Sequence, residues 1–546
     1  MIATIKKTAM SAPLVLLFVI PLIASLAFAL SGTLDAKNWQ SLFAHPQLWP
    51  ALELSIFTGL TSVAVSLLLA LFLIAGLYHS PWWPRLSAQV GAMLAVPHVA
   101  MAIGLSFLIM PSGILARILA VLTSWTTPPH WIINHDPYGL SLIAALVLKE
   151  TPFLMWALIS ILNREDVSHS FFGQRAVGLS LGHSQTSIWL RIYLPQLLPK
   201  LVWPLLAVFV YAATVVDMAI VIGPTQPPTL AVVVWADIND AQVLNNARGA
   251  VGAWFLTLAI ALTAVFFWTT IKLIVSKREW LTWPPASKDL LRPSGTFSKA
   301  KIFTLGFFYI VIAITQVILS LAPLWPFPKL WPDTLNLIAW ARVWDNPSAL
   351  ITSLAVGFST TVTALLLVIG WMETQPPSRD RFVTVLSATA LGVPALLLAL
   401  GQYRAFLQLG LTGTAFGLFL AHLIPVTAYM FLVLVGPYRS FDPRWWASAS
   451  GLLTSLPRFF WTIKLPLLKA PVLAASAIGF AVSFGQYVPA QLISAGRYST
   501  LPMEAVTLTS GTNRPLTAAF TLMLMVPPLL AFIAAAFLSK SRWSSK

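Results

Sequence analysis

Three charged side chains stand inside long apolar stretches of the sequence, at Lys149, Glu150 and Asp217. Charge within a membrane-spanning helix is costly, and it is usually paired or used in a substrate pathway. The sequence therefore predicts one of two roles for these residues. They line a translocation path, or Lys149 and Asp217 pair between helices and hold the bundle together. Lys149 and Glu150 are adjacent, so on a helix they point about 100° apart and do not share one face.

Other chemistry-bearing patterns are missing from the sequence. The chain has no cysteine, which excludes disulfides, thiolate metal sites and cysteine nucleophiles. We find no His, Asp and Glu cluster with catalytic or metal-ligand spacing, and no phosphate-binding Gly-x-x-x-x-Gly-Lys-Ser/Thr motif. We therefore expect a protein that is not an enzyme, holds no metal and binds no cofactor of its own.

The composition indicates which elements carry those charges. Of 546 residues, 58% are hydrophobic and only 9% are charged, against about 25% charged in soluble domains. A membrane span needs about 20 mostly apolar residues, and twelve segments meet that length. Those of the first half are 11–32, 51–78, 88–111, 138–162, 197–222 and 249–274. Those of the second half are 303–325, 350–372, 383–408, 412–435, 468–493 and 516–538. The predicted fold is an all-α polytopic membrane protein.

The basic residues predict the orientation of these spans. With both termini in the cytoplasm, 23 of the 33 Lys and Arg residues fall in cytoplasmic segments or at the cytoplasmic ends of spans, 8 in outer segments or at outer ends, and 2 deeper within spans. This bias is the one expected of membrane proteins, so the net charge of +16 indicates topology and not nucleic-acid binding. Residues 1–30 also have features of a cleaved signal peptide, but their apolar run is longer than such peptides require. We expect the segment to be retained as a helix.

The two sets of six spans resemble each other, which indicates an internal repeat. The segment Arg191–Pro195 recurs as Thr462–Pro466, and the spacing from Pro195 to Pro466 defines the offset between the copies in this region. Upstream, Pro97 with Gly104 matches Pro394 with Gly401 at a somewhat larger offset, and Ser55 matches Ser353 at nearly the same one. Because each copy has an even number of spans, the copies run parallel in the membrane. We predict a first repeat at 1–275, a cytoplasmic linker at 276–302 and a second repeat at 303–546.

One cytoplasmic loop in each repeat, 164–196 and 437–467, has a pattern that suggests a mechanism. The first contains Gly178 and Gly182, followed after nine residues by Ile192, Leu194 and Pro195. The second contains Ile463, Leu465 and Pro466. A helix of small residues, a tight glycine turn and a second helix beginning at Leu-Pro would make a rigid knob outside the bilayer.

These loops resemble the EAA loop of binding-protein-dependent ABC importer permeases, which reads Glu-Ala-Ala, three residues, Gly, nine residues, Ile-x-Leu-Pro. The likeness extends over nearly the whole chain and is to the fused two-copy permeases of the ferric-iron and thiamine type. Two departures stand out. The Glu position holds Ala176 and Ala447, and the Gly position of the second copy holds Leu453.

The resemblance implies a type I permease fold in the bacterial inner membrane. It also implies two ABC ATPase subunits at the cytoplasmic face, which bind any ATP, and a periplasmic solute-binding protein. The alternative is a secondary transporter of major-facilitator-like architecture. The loop Pro81–Arg85 lacks the Gly-Asp-Arg pattern usual in that group. The sequence does not identify the transported solute.

Overall fold

The computed structural model describes residues 12–75, 77–78, 80–276, 295–449 and 455–539, and within these ranges it contains helices and no β-strand. Among the described residues, ten helices are long and apolar enough to cross a membrane. The number rises to twelve if each of two sharply bent helix pairs counts as one span. The prediction of an all-α polytopic membrane protein is confirmed.

The helices up to residue 276 are α1 Ala12–Thr33, α2 Ala36–Phe43, α3 Leu48–Ala75, α4 Trp83–Leu94, α5 His98–Ile109, α6 Ile114–Thr123, α7 Leu140–Leu162, α8 Glu165–Ser180, α9 Gln185–Thr214, α10 Asp217–Ile222, α11 Leu230–Ile238 and α12 Val243–Ser276. The helices from residue 295 onward are α13 Gly295–Leu321, α14 Ile338–Asp345, α15 Ser348–Thr374, α16 Asp380–Gly392, α17 Ala395–Gln408, α18 Ala415–Arg439, α19 Arg444–Ala449, α20 Leu456–Leu467, α21 Lys469–Phe484, α22 Val488–Ser494, α23 Leu501–Thr509 and α24 Arg514–Ser539. Helix α13 begins inside the predicted linker, and residues 277–294 lie outside the described residues.

Four of the segments predicted as single spans are interrupted. The chain leaves the helix before Pro97, between α4 and α5, and before Pro394, between α16 and α17, where the axis bends by 102°. Proline lacks the N–H of the helical ladder and disfavours a helical residue before it, so both breaks have a local cause. The segments 197–222 and 468–493 are each divided near their ends, before Asp217 and before Val488. These divisions correct the prediction of continuous spans there.

The two breaks before Asp217 and Val488 are related by the repeat. The residue preceding each has nearly the same backbone conformation, with φ −101° and ψ −54° at Val216 and φ −100° and ψ −59° at Tyr487. The starts of four helices and one widened turn recur in the second half of the chain, each separated from its counterpart by as many residues as separate Pro195 from Pro466. The paired starts are Gln185 and Leu456, Trp189 and Phe460, Asp217 and Val488, Leu230 and Leu501, and Val243 and Arg514. The same sequence offset therefore produces the same succession of elements.

A serine hydroxyl group makes the same hydrogen bond in both copies. The Oγ of Ser55 accepts from the backbone N–H of Leu230 at 2.8 Å, and the Oγ of Ser353 accepts from that of Leu501, also at 2.8 Å. Each N–H belongs to the first residue of a short helix and has no partner within that helix. The matched serines therefore satisfy matched backbone donors.

The contacts divide the chain into two compact units, and neither follows the sequence halves throughout. The first unit contains the N-terminal segment up to Leu34, Ala95–Ala100 and the chain from Ile338 onward. Within it, α1 packs along α17, and α18 packs against both α15 and α21. Gly401 of α17 lies against the backbone of α1, since a Cβ at Gly401 would stand 1.8 Å from the carbonyl oxygen of Ser25.

The second unit contains Asp35–Leu94 and Met101–Leu337. Helix α3 packs against α7 and α9, and α13 packs against α4. Gly104 of α5 lies close to α13, since a Cβ at Gly104 would stand 2.3 Å from Cγ2 of Ile312. The first helix of each sequence half thus clusters with helices of the other half. The repeat boundaries at 1–275 and 303–546 concern the sequence and stay a prediction.

Candidate functional site

The first candidate loop begins with helix α8, which has acidic residues at its N-terminal end. Glu165 and Asp166 lie in the first turn, where negative charge interacts favourably with the positive end of the helix dipole. The guanidinium group of Arg164 pairs with the Asp166 carboxylate at 2.9 Å. That hydrogen bond holds the pKa of the exposed Asp166 carboxyl group below its ordinary value.

The end of α8 is closed by a glycine turn. Gly182 has φ +81°, a left-handed conformation that side chains with a Cβ rarely adopt. Its N–H donates to the carbonyl oxygen of Leu179 at 3.0 Å, and the N–H of His183 donates to that of Gly178, also at 3.0 Å. This pair of bonds is the Schellman arrangement, which satisfies the last carbonyl groups of a helix. The tight turn predicted at Gly182 is confirmed.

Gly178 brings the two helices of this loop into contact. A Cβ at Gly178 would stand 2.9 Å from Cγ1 and 3.0 Å from Cδ1 of Ile188. Ile188 is buried on the first turn of α9, which begins after Ser184, whose Oγ accepts from the N–H of Ser187 at 3.2 Å. The loop is therefore a compact pair of helices, with a glycine at the turn and a glycine at the contact.

A widened helical turn inside α9, Trp189–Tyr193, contains the first two residues of the Ile-x-Leu-Pro segment. Ile192 and Leu194 are half-buried, and Pro195 is buried. The intervening residue Tyr193 is 1% exposed. Its Oη donates to the carbonyl oxygen of Phe171 at 2.7 Å, and its ring stacks on that of Phe171 with centroids 4.2 Å apart.

The second candidate loop repeats this turn but not the whole arrangement. A widened turn at Phe460–Lys464 lies within α20. Ile463 and Leu465 are half-buried, and Pro466 is exposed. Helix α20 meets α21 at a bend of 77°, whereas α9 continues as one helix to Thr214. Residues 450–454, which contain the Leu453 turn position, lie outside the described residues.

The three buried charges lie in the unit that contains the first loop. Lys149, Glu150 and Asp217 are 4%, 5% and 8% exposed. The Nζ of Lys149 donates to the carbonyl oxygens of Leu94 at 3.0 Å and Met93 at 3.3 Å, where α4 ends before Pro97. The ion pairs of the described residues do not join Lys149 to Asp217. Lys149 therefore binds carbonyl groups at the C-terminal end of a helix.

A proline inside α7 and another inside α18 each leave a backbone carbonyl oxygen without its usual N–H donor. Pro152 cannot donate to the carbonyl of Leu148, and that oxygen accepts from the Oη of Tyr309 at 2.9 Å. Pro425 likewise leaves the carbonyl of Ala421, which accepts from Nε2 of Gln402 at 3.4 Å. Both helices remain continuous, and in each a side chain of a neighbouring helix donates to the carbonyl oxygen that the proline leaves without its usual donor.

The predicted loop residues did not include Tyr193 and Lys464, which occupy the x position of the two Ile-x-Leu-Pro segments. A signal for them was present, because the two residues are equivalent in the repeat and are the only changed position within that motif. Within the described residues, no group of three or more His, Asp and Glu side chains could hold a metal ion. The prediction that the chain binds no cofactor stays a prediction.

Comparison with known proteins identifies the family. No protein-family model matches the chain. It is 32% identical over 524 residues to the inner membrane ABC transporter permease protein YnjC of Escherichia coli, covering 95% of this chain and 94% of the relative. It is also 26% identical over 245 residues to PhnV of Salmonella typhimurium, named for a 2-aminoethylphosphonate transport system permease, covering 42% of this chain and 89% of that one. The chain belongs to the family of ABC transporter permeases.

Proposed function

We propose that this chain is the membrane-spanning subunit of an ATP-driven importer, and that its two loops couple it to a separate ATPase. The observation that carries the proposal is the construction of the first loop, where Gly182 closes α8 and Gly178 packs it against Ile188. A pair of helices fixed in this way can move as one body when a partner pushes on it. Exposed apolar side chains at Val177 and Leu181 offer that partner a contact surface.

The same proposal includes the number of ATPase subunits that bind this chain and the orientation of the chain in the membrane. One chain supplies both halves of the path, and one ATPase subunit binds each loop. The recurrence of helix starts at one constant sequence offset supports two such loops. The excess of Lys and Arg near the loops supports a cytoplasmic location for them and for both termini. A periplasmic binding protein delivers the solute on the other side.

For the translocation path we propose Glu150 and Asp217, which are buried and charged within the unit of the first loop. Lys149 has weaker support as a lining residue, because its ammonium group already binds two carbonyl oxygens. We propose that Lys149 acts as a brace for the broken segment between α4 and α5. ATP is bound by the partner and not by this chain, which has no phosphate-binding glycine loop.

The test compares two glycine substitutions, one at the turn after α8 and one within α8, in a complex reconstituted with the partner ATPase. Gly182→Leu should uncouple ATP hydrolysis from transport or release the ATPase, because a side chain strains the φ +81° backbone. Gly173→Leu is the matched control, since a Cβ at Gly173 meets no atom within 4 Å and its φ is ordinary. Normal transport by Gly182→Leu with the ATPase bound would overturn the coupling role.

A further inference from the structure

The x residue of each Ile-x-Leu-Pro segment is anchored by different chemistry, to a helix of its own loop in the first copy and to a helix outside the loop in the second. In the first loop, Tyr193 stacks on Phe171 and donates to its carbonyl oxygen, an uncharged attachment. In the second loop, the Nζ of Lys464 forms an ion pair with the Oε1 of Glu373, at the end of α15. The same ammonium group lies 4.6 Å from the ring centroid of Tyr438, at the end of α18.

Glu373 is also hydrogen-bonded by Tyr438, the residue at the end of α18 whose ring lies beneath the Lys464 ammonium group. The Oη of Tyr438 donates to Oε1 of Glu373 at 2.5 Å, so this carboxylate accepts from a phenol and an ammonium group together. Hydrogen bonds to a charged carboxylate are about twice as strong as those between neutral groups. The α15 end, the α18 end and the loop therefore meet at one acid.

The neighbouring residue on α18 fixes the position of that meeting point. The guanidinium group of Arg439 donates to both carboxylate oxygens of Asp380, at 2.7 Å and 2.9 Å. It also donates to the carbonyl oxygens of Met372 at 2.8 Å and Gln375 at 2.9 Å, on either side of Glu373. Because Arg439 binds the backbone on both sides of Glu373, it fixes the position of the carboxylate that pairs with Lys464.

The Lys464–Glu373 ion pair is partly buried, so its loss should cost more than the loss of an exposed ion pair. The side chains of Lys464 and Glu373 are 18% and 32% exposed, whereas the nearby Arg444–Asp442 pair is 92% and 50% exposed at a separation of 4.0 Å. Exposed pairs contribute little, and removing one member of a partly buried pair leaves a charge in poorly solvated surroundings. The loss of either charge should therefore be felt by the loop.

We propose that Lys464, Glu373 and Tyr438 form an ionic latch that holds the second loop against the end of α15, while the stacking of Tyr193 on Phe171 holds the two helices of the first loop together. Lys464 and Glu373 are positioning residues, and the inference rests on the proposed coupling function of the loops. Its consequence is an asymmetry: reversal of charge should disturb the second loop and leave the first in place.

The absence of cysteine from the chain allows a direct measurement of loop mobility. A spin label is attached to a single cysteine at Trp461→Cys, a position 68% exposed in the second loop. The matched probe is Leu190→Cys, which is 46% exposed and holds the equivalent position in the first loop. Both labels are read in the full-length protein in lipid nanodiscs.

Lys464→Glu should mobilise the label at 461, and combining it with Glu373→Lys should restore the restricted spectrum. Lys464→Met should also mobilise the label, since it keeps the side-chain stem over Tyr438 but removes the charge. The label at 190 should keep its spectrum in all three proteins, which also shows that they are folded. Equal spectra at 461 in the parent, Lys464→Glu and Lys464→Met would overturn the latch.

A functional arm separates this inference from the proposed function. In the reconstituted complex, Lys464→Glu should lose transport per ATP hydrolysed, and the double charge exchange should regain it. If Lys464→Glu transports normally while Gly182→Leu does not, the latch has no positioning role and the coupling proposal stands. If both variants transport normally with the ATPase bound, the coupling proposal itself fails.

Discussion

Gly401 and Ser25 lie in backbone contact, so close that a Cβ at Gly401 would stand 1.8 Å from the Ser25 carbonyl oxygen. Gly104, the residue that matches Gly401 in the repeat, lies against a side chain of α13, since a Cβ at Gly104 would stand 2.3 Å from Cγ2 of Ile312. Small residues allow helices to approach closely in a membrane, where packing is the main source of their association. Each glycine therefore admits the first helix of the other sequence half.

The first prediction concerns this contact. Gly401→Ala should lower the stability of the folded protein by at least about 1–3 kcal/mol, because the added methyl group meets backbone and cannot be avoided by a rotamer change. Gly392→Ala should have little effect, since a Cβ there meets no atom within 4 Å. Thermal unfolding in detergent, followed by tryptophan fluorescence, measures both. Equal melting temperatures for the two variants would contradict the contact.

The second prediction concerns the serines that cap matched helices. Ser353→Ala and Ser55→Ala should each lower stability by about 1–2 kcal/mol, because the N–H of Leu501 or Leu230 then lies buried without an acceptor. The control is Ser276→Ala, whose exposed hydroxyl group donates only to the carbonyl of Leu273. Denaturant unfolding of the purified variants tests the effect, and a loss no larger than that of the control would be evidence against it.

The third prediction tests the contact between the two helices of the first loop. Gly178→Ala should weaken the loop by about 1–3 kcal/mol, because its Cβ would lie 2.9 Å from Ile188. Ile188→Ala removes the atoms that it meets, so the double variant should recover part of the loss. Hydrogen exchange of the amides of α8 reports the local stability. Strictly additive losses would show that the two positions do not touch.

The fourth prediction separates the two roles considered for Lys149. Lys149→Met should destabilise the protein by about 1–3 kcal/mol, because the carbonyl oxygens of Met93 and Leu94 lose their donor. Lys149→Arg should retain part of the stability, since it keeps a donating cation. Lys272→Met, on an exposed stretch of α12, serves as the control. A stable Lys149→Met protein that does not transport would favour a lining role instead.

Much of the local structure could be predicted from local sequence. The twelve apolar segments all contain helix, because hydropathy and length need no knowledge of neighbours. The breaks before Pro97 and Pro394 follow from the missing N–H of proline. The glycine turn after α8 could be predicted in the same way, because only a residue without a Cβ adopts φ +81° readily.

The membrane class and the places where helices turn follow from local sequence, since each depends on residues close together in the chain, and matched residues at a constant offset indicate the repeat. Which groups meet depends on the tertiary structure. It put α1 with α17 and α13 with α4, and it gave Lys149 two carbonyl partners instead of Asp217. It also gave the x position of the loops a stacked ring at Tyr193 and an ion pair at Lys464. Spacing along a helix specifies the face on which a side chain lies, but the partner on that face depends on how distant helices pack.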